Sequence, residues 1–413
     1  MSWRGVRYAV ARTMPFALAA GAWSHHAAAD ASVTPFADAQ VEHNSNVFGA
    51  DVNSAFNVGS TASMVSKVTA GAEGQVNWGP GDFDVDLKGQ RFLYDAFSQL
   101  NHYEYDTKAA LNWRFGSVVD AQVSYSQSSA LEQFADILTI DPELNRTRVS
   151  AARVRVLVMP QWRVDLTPRL TEDDMPLPQF PRFRLRETEG SASLNYLGIS
   201  NLTAGLLFDY AHGAYSGIDA ATRYNSRSAE LTAEYKVGGR TSLSGDLGYT
   251  SRSDAVNPAG FVTPGAVVNA AGLNGTTSSF TGKISLTQQL TSKTSLSLTL
   301  FRDVASYAAG ANAEVGQGGS FDLKWSPDFR FTIMLSGRYE HDAVQGSVLL
   351  AGTDTRTDTL KSGGLDVGYH LTNAFSVHVF ANYNSRNSTL DFAQYSATEY
   401  GLKLEFRPQK PFR

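Results

Sequence analysis

The residues best able to do chemistry stand two apart rather than in clusters. Arg153 and Arg155 occupy one run, and Arg163, Asp165 and Arg169 the next. On extended strands such spacing puts side chains on one face. Guanidinium groups pair well with carboxylate and phosphate, so this face could bind or guide an anionic solute. The alternative is that these charges pair with neighbours such as Asp165, Glu187 and Glu189 and simply keep an interior wet. The same spacing recurs in Asp84, Asp86 and Lys88 and in Glu230, Glu234 and Lys236. A second constellation is Ser376, His378 and Asp366, which supplies a nucleophile, a base and an orienting carboxylate. Against catalysis, Ser and His two apart on one strand should point in parallel, and no Gly-x-Ser-x-Gly elbow is present. His43, His102, His212 and His341 are scattered without metal-ligand spacing, and there is no cysteine. The expectation is a non-enzyme with no metal and no cofactor.

Positioning these residues requires strands. Period-two alternation dominates from Val33 to Phe406. In one segment Met64, Val68, Ala70, Ala72, Val76 and Trp78 alternate with Lys67, Thr69, Glu73, Gln75 and Asn77. The pattern predicts strands at 33–43, 62–78, 82–94, 102–115, 117–127, 147–159, 162–171, 186–197, 201–211, 224–237, 241–251, 279–290, 293–303, 316–325, 329–341, 359–371, 374–385 and 397–406. Parity then turns Val154, Val156 and Val158 to one face and Arg153 and Arg155 to the other. Trp162, Val164 and Leu166 likewise oppose Arg163, Asp165 and Arg169; Phe83, Val85 and Leu87 oppose Asp84, Asp86 and Lys88; Leu231, Ala233 and Tyr235 oppose Glu230, Glu234 and Lys236.

Connections alternate between short ones, such as Gly79-Pro80-Gly81, Gly116, Gly238 to Arg240 and Thr372-Asn373, and long polar ones, such as Asn44 to Ser60, Ser128 to Arg146, Asp173 to Leu185 and Arg252 to Ser278. Trp78, Trp113, Trp162 and Trp325 all fall beside short turns, while Tyr103, Tyr125, Tyr210, Tyr249, Tyr339 and Tyr383 sit at the opposite strand ends. Two aromatic girdles, short inner turns and long outer loops predict an all-β chain folded as a transmembrane antiparallel up-and-down barrel of about eighteen strands, with sixteen as second choice. A soluble propeller or sandwich shares the alternation but gives no reason to place tryptophan at every other connection. At this strand number the lumen should be aqueous unless loops enter it, and the longest loop, Arg252 to Ser278, is the expected plug.

Composition agrees with these elements. A hydrophobic share of 42% with 18% charge is too apolar for disorder, and a net charge of −5 gives no footprint for nucleic acid. Residues 1–29 carry Arg4, Arg7 and Arg12, an apolar run from Met14 to Trp23, and Ala27-Ala28-Ala29. This reads as a secretory signal peptide, with an anchor helix as the alternative, leaving residues 30–413 as the barrel. Only Asp30 to Ser32 precede the first expected strand, so no plug domain is expected before it. Near the other end, Glu399-Tyr400-Gly401-Leu402-Lys403-Leu404-Glu405-Phe406 is similar to the terminal-strand signal read by the barrel-assembly machinery, although the chain continues to Arg413.

Val41-Glu42-His43-Asn44-Ser45-Asn46-Val47-Phe48 resembles the opening of the second type of β-barrel porins. The rhythm of the whole mature chain is similar to that of the EpsL-like outer-membrane barrels associated with exopolysaccharide biosynthesis. Tyr94-Asp95, Leu100-Asn101-His102-Tyr103-Glu104-Tyr105, Trp325-Ser326-Pro327 and Tyr383-Asn384-Ser385-Arg386 also match. The resemblance implies a bacterial outer-membrane protein that aids polysaccharide export, with outer-membrane lipid, the polymer and periplasmic export components as partners; it fixes no binding residue. The rival readings are a diffusion porin for small solutes, a lumen hydrolase, and a structural or adhesive barrel.

Overall fold

The computed structural model describes residues 30–52, 58–132, 134, 142–177, 180–216, 223–255, 275–305, 311–347 and 356–408. The leader-like segment 1–29 and the centre of the 252–278 connection lie outside the described residues. Eighteen strands follow one another: β1 (Asp30–Asn44), β2 (Ser63–Trp78), β3 (Gly81–Tyr94), β4 (His102–Phe115), β5 (Val119–Leu131), β6 (Leu144–Met159), β7 (Trp162–Leu177), β8 (Phe180–Ile199) and β9 (Leu202–Ser216) make the first half. The second comprises β10 (Arg223–Val237), β11 (Thr241–Ala255), β12 (Gly275–Thr291), β13 (Thr294–Ala305), β14 (Ala311–Trp325), β15 (Phe331–Ser347), β16 (Arg356–His370), β17 (Phe375–Ser388) and β18 (Tyr395–Phe406). Each strand pairs antiparallel with its sequence neighbours, and β1 also pairs with β18, with Ala37 opposite Phe406 and Asn44 opposite Glu399. The sheet therefore closes into a barrel without an edge.

The predicted faces hold. Val154, Val158, Leu166, Leu231, Phe83 and Leu87 are all exposed on the outer wall, as are Phe208, Leu247, Phe280 and Leu300. Apolar side chains exposed around a closed sheet have no protein to pack against; lipid is their solvent. Between them the other parity carries Thr, Ser, Asn and charged residues into the interior. The short turns use glycine where backbone geometry demands it: Gly116 has φ 64°, and Gly238 and Gly239 have φ 57° and 70° in the β10–β11 hairpin. The tryptophans gather beside these turns, where Trp78 and Trp113 lie 5.9 Å apart and Trp162 meets Tyr196 at 5.1 Å.

Strands differ from expectation mainly at the outer end, where they run longer. The segment Asp173 to Leu185, expected as a loop, is largely strand: β7 continues to Leu177 and β8 begins at Phe180, with Glu172 opposite Arg186 and Asp174 opposite Arg184. On this extension Glu172, Asp174, Arg184 and Arg186 take the outward positions that apolar residues hold lower down, so the apolar alternation stops while backbone pairing continues. Arg184 Nε to Asp174 at 3.2 Å and Arg186 to Glu172 at 3.8 Å tie the extension together.

The apolar core lies at the external mouth. Phe48, Ala50 and Val52 from the β1–β2 connection, Leu100 before β4, Phe134 after β5, and Phe392 and Ala393 between β17 and β18 form one cluster with the inward-facing Leu185, Tyr215 and Tyr224 of β8, β9 and β10. In a ring of eighteen, β10 stands opposite β1, so this cluster carries loops from one wall over to the other. Asp51 N–H donates to Phe392 O at 2.9 Å, and Val47 N–H to Thr61 O at 3.0 Å, fixing the first loop in place. Among the described residues the roof over the mouth is built from the first, second, third and last external loops; the 252–278 loop, to which the sequence pointed, has its central residues outside the described ones.

Candidate functional site: the polar lumen

The expected lumen charges separate into two zones. Toward the short-turn end, Arg153 and Arg155 on β6 and Arg163 and Asp165 on β7 converge. Arg163 Nε lies 2.7 Å from Asp165 Oδ1, Asn195 Nδ2 lies 3.4 Å from Oδ2, and Arg155 Nε stays 3.9 Å away, too far for a hydrogen bond. Arg153 and Arg155 line a cavity of about 370 Å³ with Arg114, Asp120, Asn112 and Gln122. Arg114 is 3.5 Å from Asp120. Four guanidinium groups, those of Arg114, Arg153, Arg155 and Arg163, stand near the carboxylates of Asp82, Asp120 and Asp165, with Asp84 reaching the same Asn112 as Asp82, so the charges of this zone are close to balanced.

The second zone is a recess of about 1080 Å³ reaching from β6 around to β15. Arg169 and Glu230 belong here, joined by Asp173, Glu187, Glu189, Asp209, Asp246, Asp303 and Glu340 against Arg252, Lys283, Arg302 and Arg338. Carboxylates outnumber cations. Arg169 approaches Glu189 at 3.8 Å, and Arg338 holds Glu340 at 2.7 Å. The remaining expected residues lie on the inner wall outside both recesses. Asp84 accepts a 3.5 Å hydrogen bond from Asn112; Asp86 stands opposite Lys108 and Lys88 opposite Asp106; Glu234 pairs with Lys236 at 3.0 Å.

Several inner-wall ion pairs escaped the sequence reading, and they share one spacing. Arg252 and Asp254 lie at 3.0 Å, and Arg356 and Asp358 also at 3.0 Å, each arginine two residues before its acid, as in Arg163 and Asp165 and in Arg338 and Glu340. Asp358 also receives Arg386 Nε at 3.0 Å and is only 1% exposed. An Arg-x-Asp/Glu step on an inward parity is the signal that would have found them.

Ser376, His378 and Asp366 do meet. Ser376 Oγ is 3.1 Å from His378 Nε2, and His378 Nδ1 is 2.8 Å from Asp366 Oδ1. The expectation that Ser and His two apart on a strand point in parallel rather than toward each other is overturned. Their shared face leaves enough lateral lean for the ring to reach the hydroxyl, and Gly368 opposite His378 leaves room for the ring. Among the described residues no group of three or more His, Asp or Glu is arranged to hold a metal ion.

A closed antiparallel sheet with an apolar outer wall, aromatic girdles and a charged, wet interior defines a bacterial outer-membrane β-barrel. Comparison with solved structures places the fold in the same company. The chain superposes on "Copper transporter OprC" with a TM-score of 0.50 at 11% identity, covering 90% of this chain and 66% of that one. It therefore spans just under two thirds of that transporter. Other similar structures are the FrpB iron transporter of Neisseria meningitidis, with TM-score 0.48, 12% identity and coverage of 91% and 68%, and OccK1 (OpdK) of Pseudomonas aeruginosa, with TM-score 0.43, 13% identity and coverage of 92% and 98%. No protein-family model matches the sequence, and no curated protein matches it either.

Proposed function

We propose that this barrel is a passive outer-membrane conduit that assists export of a polysaccharide, with no chemical step in the transport itself. The observation that carries the reading is the two-zone lumen: a smaller recess of mixed charge near the periplasmic turns leads toward a larger, carboxylate-rich recess beneath the loop roof. Polar walls of this kind hydrogen-bond a hydroxyl-rich chain without holding it at one deep point, which passage requires. The resemblance to EpsL-like barrels supports the polymer as cargo and periplasmic export components as partners. The C-terminal strand segment 399–406, outward-facing through Tyr400, Leu402, Leu404 and Phe406, is the proposed handle for the barrel-assembly machinery.

Deletion of the gene tests this. Loss of extracellular polysaccharide with polymer retained in the periplasm is the expected result. Normal surface polymer in the deletion strain, with small-ion conductance of the purified barrel in planar bilayers, would instead establish a diffusion porin.

A further inference from the structure

We propose that Ser376, His378 and Asp366 form an esterase site at the periplasmic end of the lumen, which takes neutral, short-chain acyl esters. The site goes beyond the conduit reading and does not depend on it.

The hydrogen-bond chain runs in one sense. Asp366 accepts from His378 Nδ1 at 2.8 Å, which fixes the proton on that nitrogen and leaves Nε2 as an acceptor. Ser376 Oγ–H then donates to Nε2 at 3.1 Å. This is the order needed to remove a proton from the serine during attack. Three different backbone positions hold it. Ser376 and His378 are fixed by β17, and Asp366 sits on β16, whose register places Gly368 opposite His378. A Cβ at Gly368 would come within 2.7 Å of the imidazole Cε1, so glycine there makes the space in which the ring lies. Ser376 is 6% exposed and His378 9%, which keeps the pair from freely exchanging its hydrogen bonds with water.

The serine is buried but not sealed. It lines a cavity of about 300 Å³ beside the short β16–β17 turn, together with His370, Asn373, Glu73, Glu405 and Arg407. That volume is at the small end for a ligand site. Glu73 and Glu405 disfavour carboxylate substrates, which selects an uncharged acyl group. Arg407 lies between these two carboxylates, 2.9 Å from Glu73 and 3.6 Å from Glu405, and completes the cavity wall.

The reaction balances with water as the only co-reactant. Ser376 Oγ bonds to the ester carbonyl carbon while its proton passes to His378 Nε2. Collapse breaks the bond to the alkoxy group, which leaves as the alcohol with that proton. Water then attacks the acyl-serine, its proton passing through His378 to Ser376, and the carboxylic acid departs.

The test uses the full-length barrel in detergent, with folding checked by its heat-modifiable gel band. A fluorophosphonate probe should label Ser376, located by peptide mass spectrometry, and p-nitrophenyl acetate should be hydrolysed. Ser376→Ala should abolish both, and Asp366→Asn should lower turnover by about three orders of magnitude or more while leaving the band shift intact. Should Ser376→Ala fail to fold, labelling of the wild-type chain decides alone. Folded wild-type barrel that takes no label at Ser376, or that hydrolyses the ester no faster than Ser376→Ala, overturns the proposal; conductance and polymer export are separate readouts and would be untouched by that failure.

Discussion

Phe48, from the first external loop, and Phe134, from the third, meet edge to face with ring centroids 5.4 Å apart. Phe97 joins Phe48 from the second loop at 5.0 Å. Three loops are thereby locked to one another by rings that have left the lipid and the water alike. Deleting a buried phenyl ring costs about 3–5 kcal/mol, most of it here charged to the roof rather than to the strands. Phe48→Ala should raise single-channel conductance and uptake of large hydrophilic antibiotics, while the heat-modifiable band stays in place.

Arg153 and Arg155 supply two of the three guanidinium groups that line the smaller recess, so their reversal tests its part in ion preference. Arg153→Glu combined with Arg155→Glu reverses two charges beside the 370 Å³ cavity. Charges at a partly hydrated site interact on the order of 1 kcal/mol or more, so the anion-over-cation permeability ratio should fall about tenfold. Reversal potentials across a salt gradient measure it, and the effect should shrink as salt rises.

Asp358 sits between Arg356 and Arg386 and is almost wholly enclosed. Removing its charge leaves two buried guanidinium groups facing each other, a loss of about 3–5 kcal/mol. Asp358→Asn should lower the temperature at which the folded gel band converts to the unfolded one. An unchanged conversion temperature would show that water already neutralises this network.

Gly71 faces inward beneath the Phe36 ring, and a Cβ there would collide with that ring and with the Leu87 carbonyl oxygen. The carbonyl belongs to the β2–β3 ladder and cannot swing away. Gly71→Ala should destabilise the barrel by about 1–3 kcal/mol, measured as a slower appearance of the folded band during refolding into detergent or lipid.

Asp328, in the fully exposed turn between β14 and β15, accepts backbone N–H groups of Arg330 at 2.7 Å and Phe331 at 2.8 Å. These donors favour its ionised form and hold its pKa below the ordinary aspartate value. Because the folded value is the lower one, the turn keeps this contribution above the unfolded value and loses it as pH falls through the folded one. Carboxyl NMR should show Asp328 titrating below an exposed aspartate; a midpoint at or above it would sink the assignment.

The barrel was legible in the sequence because lipid on one side and water on the other write a two-residue rhythm wherever the wall crosses the membrane. Val154 against Arg155, or Leu231 against Glu230, states the face directly. The rhythm fades at Glu172, Asp173 and Asp174, where the outward positions turn polar, and the expected strand ended early for that reason. The roof was not legible: Phe48 and Phe134 lie in segments with no period, and their meeting depends on the closed sheet bringing distant loops to one mouth. Parity correctly put Ser376 and His378 on one face, but it carries no information on side-chain lean, and there the sequence reading erred.

The seam between β1 and β18 has a further meaning for how the molecule comes into being. Asn44 Nδ2 bonds Glu399 Oε1 at 3.1 Å across 355 residues of chain, whereas each of the other seventeen ladders joins sequence neighbours. Each hairpin joins segments close in the chain, but this one ladder waits for the last strand. A chain cut short before Tyr395 therefore leaves a sheet with two bare edges, a species suited to proteolysis or mispairing rather than to residence in a membrane.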